Sequence, residues 1–212
     1  MTFKFVDVEL EPLEVDPVNK DGVRFYNIPD ADKYYPSVTS ITSYKNAQFF
    51  KEWRNRIGED EANRITARTT QRGTAFHSIT EDYINGELNL DKYLENNPLS
   101  VRMFQSAKSE LNRIDNIHCL ETFLYSHYLG LAGRVDCIGI ANEQLDIIDF
   151  KSSSKPKQDY MAKPWYLQMT AYAIMVEELT GHAIEEICAI VAVEGLNTFQ
   201  LFVSDPKEHV EE

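Results

Sequence analysis

Two acids and a lysine near residue 150 offer the clearest chemistry in this sequence. Asp149 and Lys151 are two residues apart in the apolar run LDIIDFK, which is typical of a β-strand. Because side chains alternate across a strand, both would project from one face. The preceding strand-like run, GRVDCIG, carries Asp136. A tight link at Asn142 and Glu143 would set Asp136 opposite Asp149, with their β-carbons ~5 Å apart.

Two carboxylates that face each other in apolar surroundings repel, and the arrangement is stable only with positive charge between them. Mg²⁺ or Mn²⁺, hard cations that prefer oxygen ligands, suit this position. Lys151 is placed to orient a water and to stabilise charge on a phosphate oxygen. The three residues therefore predict phosphodiester hydrolysis. The alternative is a salt-bridge network in which Asp136 and Asp149 pair with Arg134 and Lys151.

Two further pairs have helical spacing. His77 and Glu81 are four residues apart, as are Gln168 and Tyr172, so each pair would share one face of a helix. A single histidine beside an apolar stripe is commonly a core residue, and a single Q-x-x-x-Y is a weak signal. Their order around the D-x-K run gives them more weight.

Hydrophobic periodicity predicts the elements that position these residues. The first forty residues have the turn signals of irregular β-structure, with Pro29 and Pro36 as breaks. The short links between the strands on either side of residue 141 indicate an antiparallel meander. Helices are predicted at 49–57, around Ala62 and Ile65, and at 73–86, 98–115 and 164–180; strands are predicted at 117–126, 131–140, 145–151, 184–194 and 198–203.

Length and composition indicate an ordinary globular protein. The 212 residues are 43% hydrophobic and 26% charged, which fits a single domain. We expect residues 1–36 to form a β-rich decoration, 37–115 a helical region and 116–212 the sheet core with the active site. No run approaches the roughly 20 apolar residues that span a bilayer, and the N-terminus has no targeting signal. We therefore expect a cytoplasmic protein, bacterial or from a phage-infected host cell.

The net charge of −13 is unfavourable for a nucleic-acid binder, so DNA would need a local basic patch. The stretch from Lys45 to Arg72 has seven basic residues against four acidic ones. Mixed charge on helices is usually a solvated face, but Lys51, Arg54, Arg68 and Arg72 are the candidate DNA-binding residues. The aromatic residues of this stretch fit a stacking surface or, as we favour, the core; they are Phe49, Phe50 and Trp53.

Four spaced motifs together resemble the RecB-type branch of the PD-(D/E)XK nucleases. They are G-x-x-x-H, G-x-x-D, D-x-K and Q-x-x-x-Y, which begin at Gly73, Gly133, Asp149 and Gln168. Within this branch, YPSVTSITSY, RGTAFH and LGLAGRVDCIG are most similar to the mitochondrial genome maintenance exonucleases and their phage relatives. The resemblance covers roughly residues 35–203.

The resemblance implies a mixed α/β fold, an αβββαβ restriction-endonuclease-like core with a central mixed sheet and an N-terminal helical extension. It implies cleavage of DNA, from single-stranded or frayed ends, with Mg²⁺ or Mn²⁺, in repair or recombination. By this analogy the metal ligands are His77, Asp136, Asp149 and the carbonyl of Phe150. Lys151 would be catalytic, with Gln168 and Tyr172 lining the site. Glu81 and Glu121 are additional candidate acids.

Three cysteines without C-x-x-C spacing do not supply the four ligands of an iron–sulfur cluster, so none is expected. They are interpreted as reduced core residues. Other functions remain open from the sequence: a structure-specific endonuclease of the same fold, or an inactive nuclease fold that binds DNA or assembles with other proteins. Retention of the acids, the lysine and the histidine argues against the inactive module.

Overall fold

The structure is a computed structural model that describes residues 2–6, 10, 13–28, 31–44, 46–141, 144–196 and 198–211. Pro29, Lys45 and the predicted turn residues Asn142 and Glu143 lie outside the described residues. The helices are α1 Val38–Tyr44, α2 Ala47–Ile57, α3 Glu59–Asn85, α4 Leu90–Asn96, α5 Pro98–Leu111 and α6 Lys163–Thr180. The strands are β1 Pro17–Lys20, β2 Val23–Ile28, β3 Lys33–Pro36, β4 Asp115–Ser126, β5 Leu131–Ala141, β6 Gln144–Ser153, β7 Glu186–Val193 and β8 Phe199–Ser204.

The central sheet has the order β4-β5-β6-β7-β8 among the described strands. The strands β4, β5 and β6 form the predicted antiparallel meander, while β6 and β7 are parallel and are connected through α6. β8 then returns antiparallel to β7. The predicted αβββαβ core is therefore confirmed. The chain before it forms a separate small antiparallel sheet, β1-β2-β3.

Hydrophobic clusters cover both faces of the central sheet. On one face, α6 packs Met169 and Met175 over Ile147 and Val191. On the opposite face, α3 and α5 bury a cluster that includes Phe76, Phe104, Ile148 and Phe150. This alternation along β6 is the strand period that places consecutive residues on opposite faces. The three cysteines are free and buried, as the sequence indicated.

The helical region differs from the prediction at Gly73. Helices around Ala62 and from Gly73 onward are one continuous helix, α3, of 27 residues. Gly73 lies inside it with ordinary backbone angles, and a β-carbon there would lie 3.7 Å from Ser152 Oγ. A β-carbon would therefore fit at this position in ordinary contact with β6, and Gly73 is not a helix boundary. α4, which the sequence reading missed, begins at Asn89, whose side chain accepts a hydrogen bond from the N–H of Lys92.

We expect Gly73→Ala to raise the free energy of unfolding by about 0.5–1 kcal/mol, because alanine restricts the unfolded chain and suits a helix interior. Gly86→Ala is the matched control. Gly86 has φ +76° at the end of α3, where alanine is strained, so its stability should fall. Urea denaturation measures both changes. Destabilisation by Gly73→Ala would contradict a continuous α3.

Candidate active site

The β5–β6 register brings two of the predicted acids to the same end of the sheet. Cys137 pairs with Ile148 and Ala141 with Gln144, which is the predicted register. Asp136 and Asp149 each lie one residue beyond the Cys137–Ile148 pair. There the Asp136 side chain accepts a hydrogen bond, since the N–H of Phe150 donates to its Oδ2 at 2.8 Å. Asp136 is thereby fixed against the backbone of the D-x-K segment.

The carboxylate of Asp149 is directed toward Lys151 and α6. The Lys151 ammonium lies 2.6 Å from Asp149 Oδ1 and 2.5 Å from Oδ2. Gln168 donates from Nε2 to Asp149 Oδ1 at 3.4 Å. The Asp149 side chain is only 3% exposed. Burial disfavours the charge on Lys151, but Asp149 and Asp136 outweigh it and raise the pKa of the lysine, so it stays protonated.

A second group of side chains could hold a metal ion. The imidazole Nδ1 of His77 lies 3.4 Å from Asp136 Oδ2 and 4.0 Å from Glu121 Oε1. One ligand atom from each of the three residues falls within 4.8 Å of the others. They come from α3, β4 and β5, so the site forms only when the helix docks on the sheet. Glu121, an additional candidate acid from the sequence, is thus in the cluster, whereas Asp149 is instead paired with Lys151.

Glu121 is held in an unfavourable state. Burial, and secondarily the Asp136 carboxylate, raises the pKa of Glu121 to about 8. Its backbone has φ +49°, a left-handed conformation that costs a non-glycine residue about 1–3 kcal/mol. Arg134 steadies this bend by donating from Nη1 to the Glu121 carbonyl at 2.7 Å. Burial also raises the pKa of Asp149 to about 6, against the lowering effect of Lys151.

The raised pKa and the left-handed backbone of Glu121 show whether a metal ion would fit this site. The Glu121 carboxyl, whose pKa is raised, joins the Asp136 carboxylate and the His77 imidazole in a donor set of two carboxylates and one nitrogen. A divalent cation would relieve the repulsion, and carboxylate and imidazole groups are both common ligands of divalent metal ions in proteins. The residues present therefore fit a divalent metal ion, which His77, Glu121 and Asp136 would hold.

The Q-x-x-x-Y pair contacts the site from α6. A β-carbon on Gly133 would lie 2.8 Å from both Cε1 and Oη of Tyr172, so only glycine lets the ring lie this close to β5. Tyr172 is buried, and burial raises its pKa far above the ordinary range. Tyr172 is therefore a neutral phenol beside the acids. Packing against Tyr172 therefore explains why the first position of the G-x-x-D motif is a glycine, Gly133.

Other predicted site residues lie around this centre. Glu81 is half-buried, and burial, followed by the Asp82 charge, raises its pKa, but it is outside the metal-type cluster. Phe150 has a buried ring on the α3 face, and its N–H serves Asp136. Arg54 on α2 pairs with Glu59 at 2.8 Å. Lys51, also on α2, is exposed.

Arg68 and Arg72 share one acid that sequence reasoning missed. Glu194, just after β7, bonds to both guanidinium groups. Arg72 is 6% exposed, whereas a residue of a solvated basic face would be exposed. Glu194 follows a strand in a turn, and no spacing in the sequence connects it to α3. Only the tertiary structure could have revealed it.

The aromatic residues of α2 are not in the core. Phe49 and Phe50 are 61% and 52% exposed, so the favoured core interpretation is wrong for them. Trp53 is half-buried, and its ring contacts Phe50 edge to face at 6.4 Å between centroids. The main contact of α2 is with α3, and none of its described residues is fully buried, which leaves the two phenylalanines facing solvent.

The model of the PD-(D/E)XK nuclease superfamily matches residues 93–208. This is more than half of the chain and contains Asp136, Asp149, Lys151 and the α6 pair. The chain belongs to the PD-(D/E)XK nuclease superfamily. His77 precedes the matched segment, so its place beside Asp136 comes from the structure. None of the described helices is both long and apolar enough to cross a bilayer.

Relatives of this superfamily member include mitochondrial genome maintenance exonuclease 1 from several animals. The human protein is 28% identical over 177 residues, which are 78% of this chain and 51% of that protein. The Xenopus tropicalis protein is 28% identical over 170 residues, 74% of this chain and 48% of that one. The chain spans about half the length of the curated relatives it matches.

We expect Glu121→Gln to flatten the pH dependence of stability in metal-free buffer. The pKa of Glu121 is raised in the folded protein, so the folded state binds its proton more tightly than the unfolded state. Wild-type stability is therefore highest below the unfolded carboxyl pKa and falls as pH rises to about 8. Thermal melts with chelator at several pH values compare the slopes. An equal dependence of melting temperature on pH in the two proteins would contradict a raised pKa for Glu121.

Proposed function

We propose that this protein is a metal-dependent deoxyribonuclease that hydrolyses phosphodiester bonds at single-stranded DNA ends. The observation that supports this most is the adjacency of a metal-type cluster, His77, Glu121 and Asp136, to the buried Asp149–Lys151 pair. Nuclease superfamily membership and relatives named as exonucleases agree with it. The chain spans only about half the length of these relatives, so activity and substrate are proposals for this chain.

Each residue of the centre has a distinct task in this proposal. His77, Glu121 and Asp136 would hold Mg²⁺ or Mn²⁺. Asp149 and the Phe150 carbonyl are ligands only by the sequence resemblance, and the Asp149 carboxylate is paired with Lys151. A cation held there would supply positive charge for the phosphate and would lower the pKa of a bound water. Gln168 fixes the orientation of Asp149 through its hydrogen bond. Tyr172, neutral and buried, excludes water from the α6 side.

Lys151 provides the positive charge nearest to the reacting phosphate. Its ammonium is anchored by Asp149 but is 21% exposed, whereas Asp149 is 3% exposed, so the lysine is the member of the pair that a substrate can reach. Negative charge grows on the non-bridging oxygens during attack. A fixed ammonium beside them stabilises the transition state more than the ground state.

The α2 surface supports a single-stranded substrate. Exposed Phe50 lines a surface groove with Lys51 and Arg54. Exposed Phe49 contacts the Phe50 ring edge to face. Aromatic faces stack on unpaired bases, and basic side chains follow the backbone, which is the combination used for single strands without sequence preference. Bases in a duplex are already stacked on each other and offer no such faces. The α2 surface therefore favours single-stranded or frayed ends, as in DNA repair or recombination.

Lys151→Ala and Lys151→Arg should cleave linear single-stranded DNA at least ~100-fold more slowly in Mg²⁺. Binding measured in Ca²⁺ should stay near the wild-type value, because one contact among several is lost. Arginine fails because its planar head does not occupy the same point. Single-turnover rates at saturating DNA measure the effect.

The control for this experiment is Lys20→Ala, an exposed lysine of β1. Full cleavage by the wild type in chelator would refute metal dependence, and normal turnover by the Lys151 variants would refute the role of the lysine. Cleavage of circular single-stranded DNA would reveal the endonuclease of the same fold. Linear DNA alone as substrate supports the exonuclease.

Replacing Phe49 and Phe50 together by alanine should weaken binding of single-stranded DNA by about 1–3 kcal/mol for each stacked base. Binding of blunt duplex DNA and thermal stability should change little, because both rings are exposed. Tyr128→Ala is the matched control, since Tyr128 is 85% exposed in the β4–β5 turn. An equal change in single-stranded DNA binding in both variants would show that α2 does not contact the substrate.

A further inference from the structure

A small cavity lies beside the end of the strand that carries Lys151. Its volume is about 90 Å³, and its lining includes Arg64, Arg68 and Arg72 of α3 together with Ser154 and Glu194. The arginines recur every four residues, so they lie along one face of the helix. We refer to this group of five residues as the arginine cavity.

The arginine cavity adjoins the candidate active site. Glu194 is fixed to the end of β6, because its N–H donates to the Ser153 carbonyl at 2.8 Å. Ser154 is three residues beyond Lys151, a distance of ~10 Å along an extended chain. Successive phosphates of one DNA strand lie closer together than this distance. A strand with one phosphate at Lys151 therefore brings another phosphate near the cavity.

Arg72 is held rigidly in the wall of the cavity. Its Nε donates to Ser152 Oγ at 3.3 Å and its Nη1 to Glu194 Oε2 at 3.1 Å. Ser100 of α5 also fixes its backbone, with Oγ donating to the Arg72 carbonyl at 3.2 Å. A guanidinium immobilised in this way loses little entropy when an anion binds.

Glu194 occupies the position of an anionic ligand. One of its carboxylate oxygens bonds to Arg68 and the other to Arg72, so one negative charge is shared by two positive ones. Arg64 has its own partner in Glu61, at 2.6 Å. Carboxylate and phosphate oxygens present similar acceptors to an arginine fork. The pair of guanidiniums is thus suited to a doubly bonded oxyanion and is not fully neutralised.

We propose that the arginine cavity binds a phosphate group of the DNA strand, and that Glu194 is the resident anion which this phosphate displaces. The proposal rests on the proposed DNA substrate. Without DNA, Glu194 keeps Arg68 and Arg72 in place and limits the repulsion between them. With DNA, its carboxylate competes with the phosphate and weakens binding, which favours release of the strand after cleavage.

A simpler reading of the same contacts is an ion-pair clamp. In that case Glu194 only attaches α3 to the end of the sheet, and the arginines have no further ligand. The two readings predict different changes in DNA affinity when Glu194 is removed. Loss of a clamp leaves DNA binding unchanged or weaker, whereas loss of a competing anion makes binding tighter.

Arg68→Gln tests whether the cavity binds phosphate. Arg68 is 60% exposed, so the variant should fold. We expect it to weaken binding of single-stranded DNA in Ca²⁺ about tenfold and to reduce the salt dependence by about one counterion. Arg24→Gln, an exposed arginine of β2, is the matched control for charge. Equal binding by the two variants overturns the proposal.

Glu194→Gln tests the displacement. Removing the competing charge should tighten binding about fivefold at low salt, and the gain should vanish in Arg68→Gln/Glu194→Gln. Glu194→Ser, whose short side chain empties the same position, should act in the same direction and replaces the glutamine variant if that does not fold. Unchanged or weaker binding supports the clamp and overturns the displacement.

Oligonucleotides with either a hydroxyl or a phosphate at each end identify the source of the phosphate. A loss in Arg68→Gln that is the same for all ends assigns the cavity to backbone phosphates, and a loss confined to phosphorylated ends assigns it to a terminal phosphate. Wild-type binding in the same assay separates the two proposals. If the wild type binds and cleaves DNA while Arg68→Gln behaves like Arg24→Gln, the arginine cavity proposal fails and the nuclease proposal stands.

Discussion

Repulsion among acids gathered at one end of the central sheet is the constraint on which the rest of the structure depends. Glu121, Asp136 and Asp149 arrive there on three successive strands. Asp149 has a counter-charge in Lys151, and Asp136 has the Phe150 amide and the imidazole of His77. Glu121 is left with burial, a raised pKa and a left-handed backbone. Stability and ligand affinity are therefore linked at this end of the sheet.

Helices packed on both faces of the central sheet hold the three acids together despite their repulsion. α3 covers one face and supplies His77, while α6 covers the other and supplies Gln168 and Tyr172. Both helices reach the strands at points where a side chain is small. Gly133 admits the Tyr172 ring, and Gly73 lies against Ser152. Close packing at these points limits how far the acids can separate to relieve their repulsion.

Local patterns predicted the sheet well because strand period and link length fix a register. The antiparallel meander, the pairing of Cys137 with Ile148 and the position of α6 all follow from such patterns. Sequence could not predict that α3 continues through Gly73, because a glycine is a common helix-boundary signal and the packing of α3 on the sheet, which keeps the helix continuous, is a tertiary feature.

Side-chain direction and long-range pairing were also beyond the sequence. Spacing placed Asp149 beside Lys151 but did not show that its carboxylate would turn to the lysine rather than to the His77 cluster. The exposure of Phe49 and the bond between Glu194 and Arg72 depend on how elements far apart in the chain pack. Helical periodicity shows which residues share a face, but it does not show what that face meets.

The 27-residue α3 changes character along its length. From Glu59 to Gln71 nearly all of it is exposed, apart from Ala62, whereas from Arg72 onward it is embedded against the sheet. Among the described residues, neither this first half nor α2 contributes a side chain to the three hydrophobic clusters of the core. The chain can therefore vary this outer half, in evolution or by grafting, while the embedded half keeps His77 in register. Under the proposed function, the residues that contact substrate and the residue that positions the cleavage centre lie on separate halves of one helix ~40 Å long.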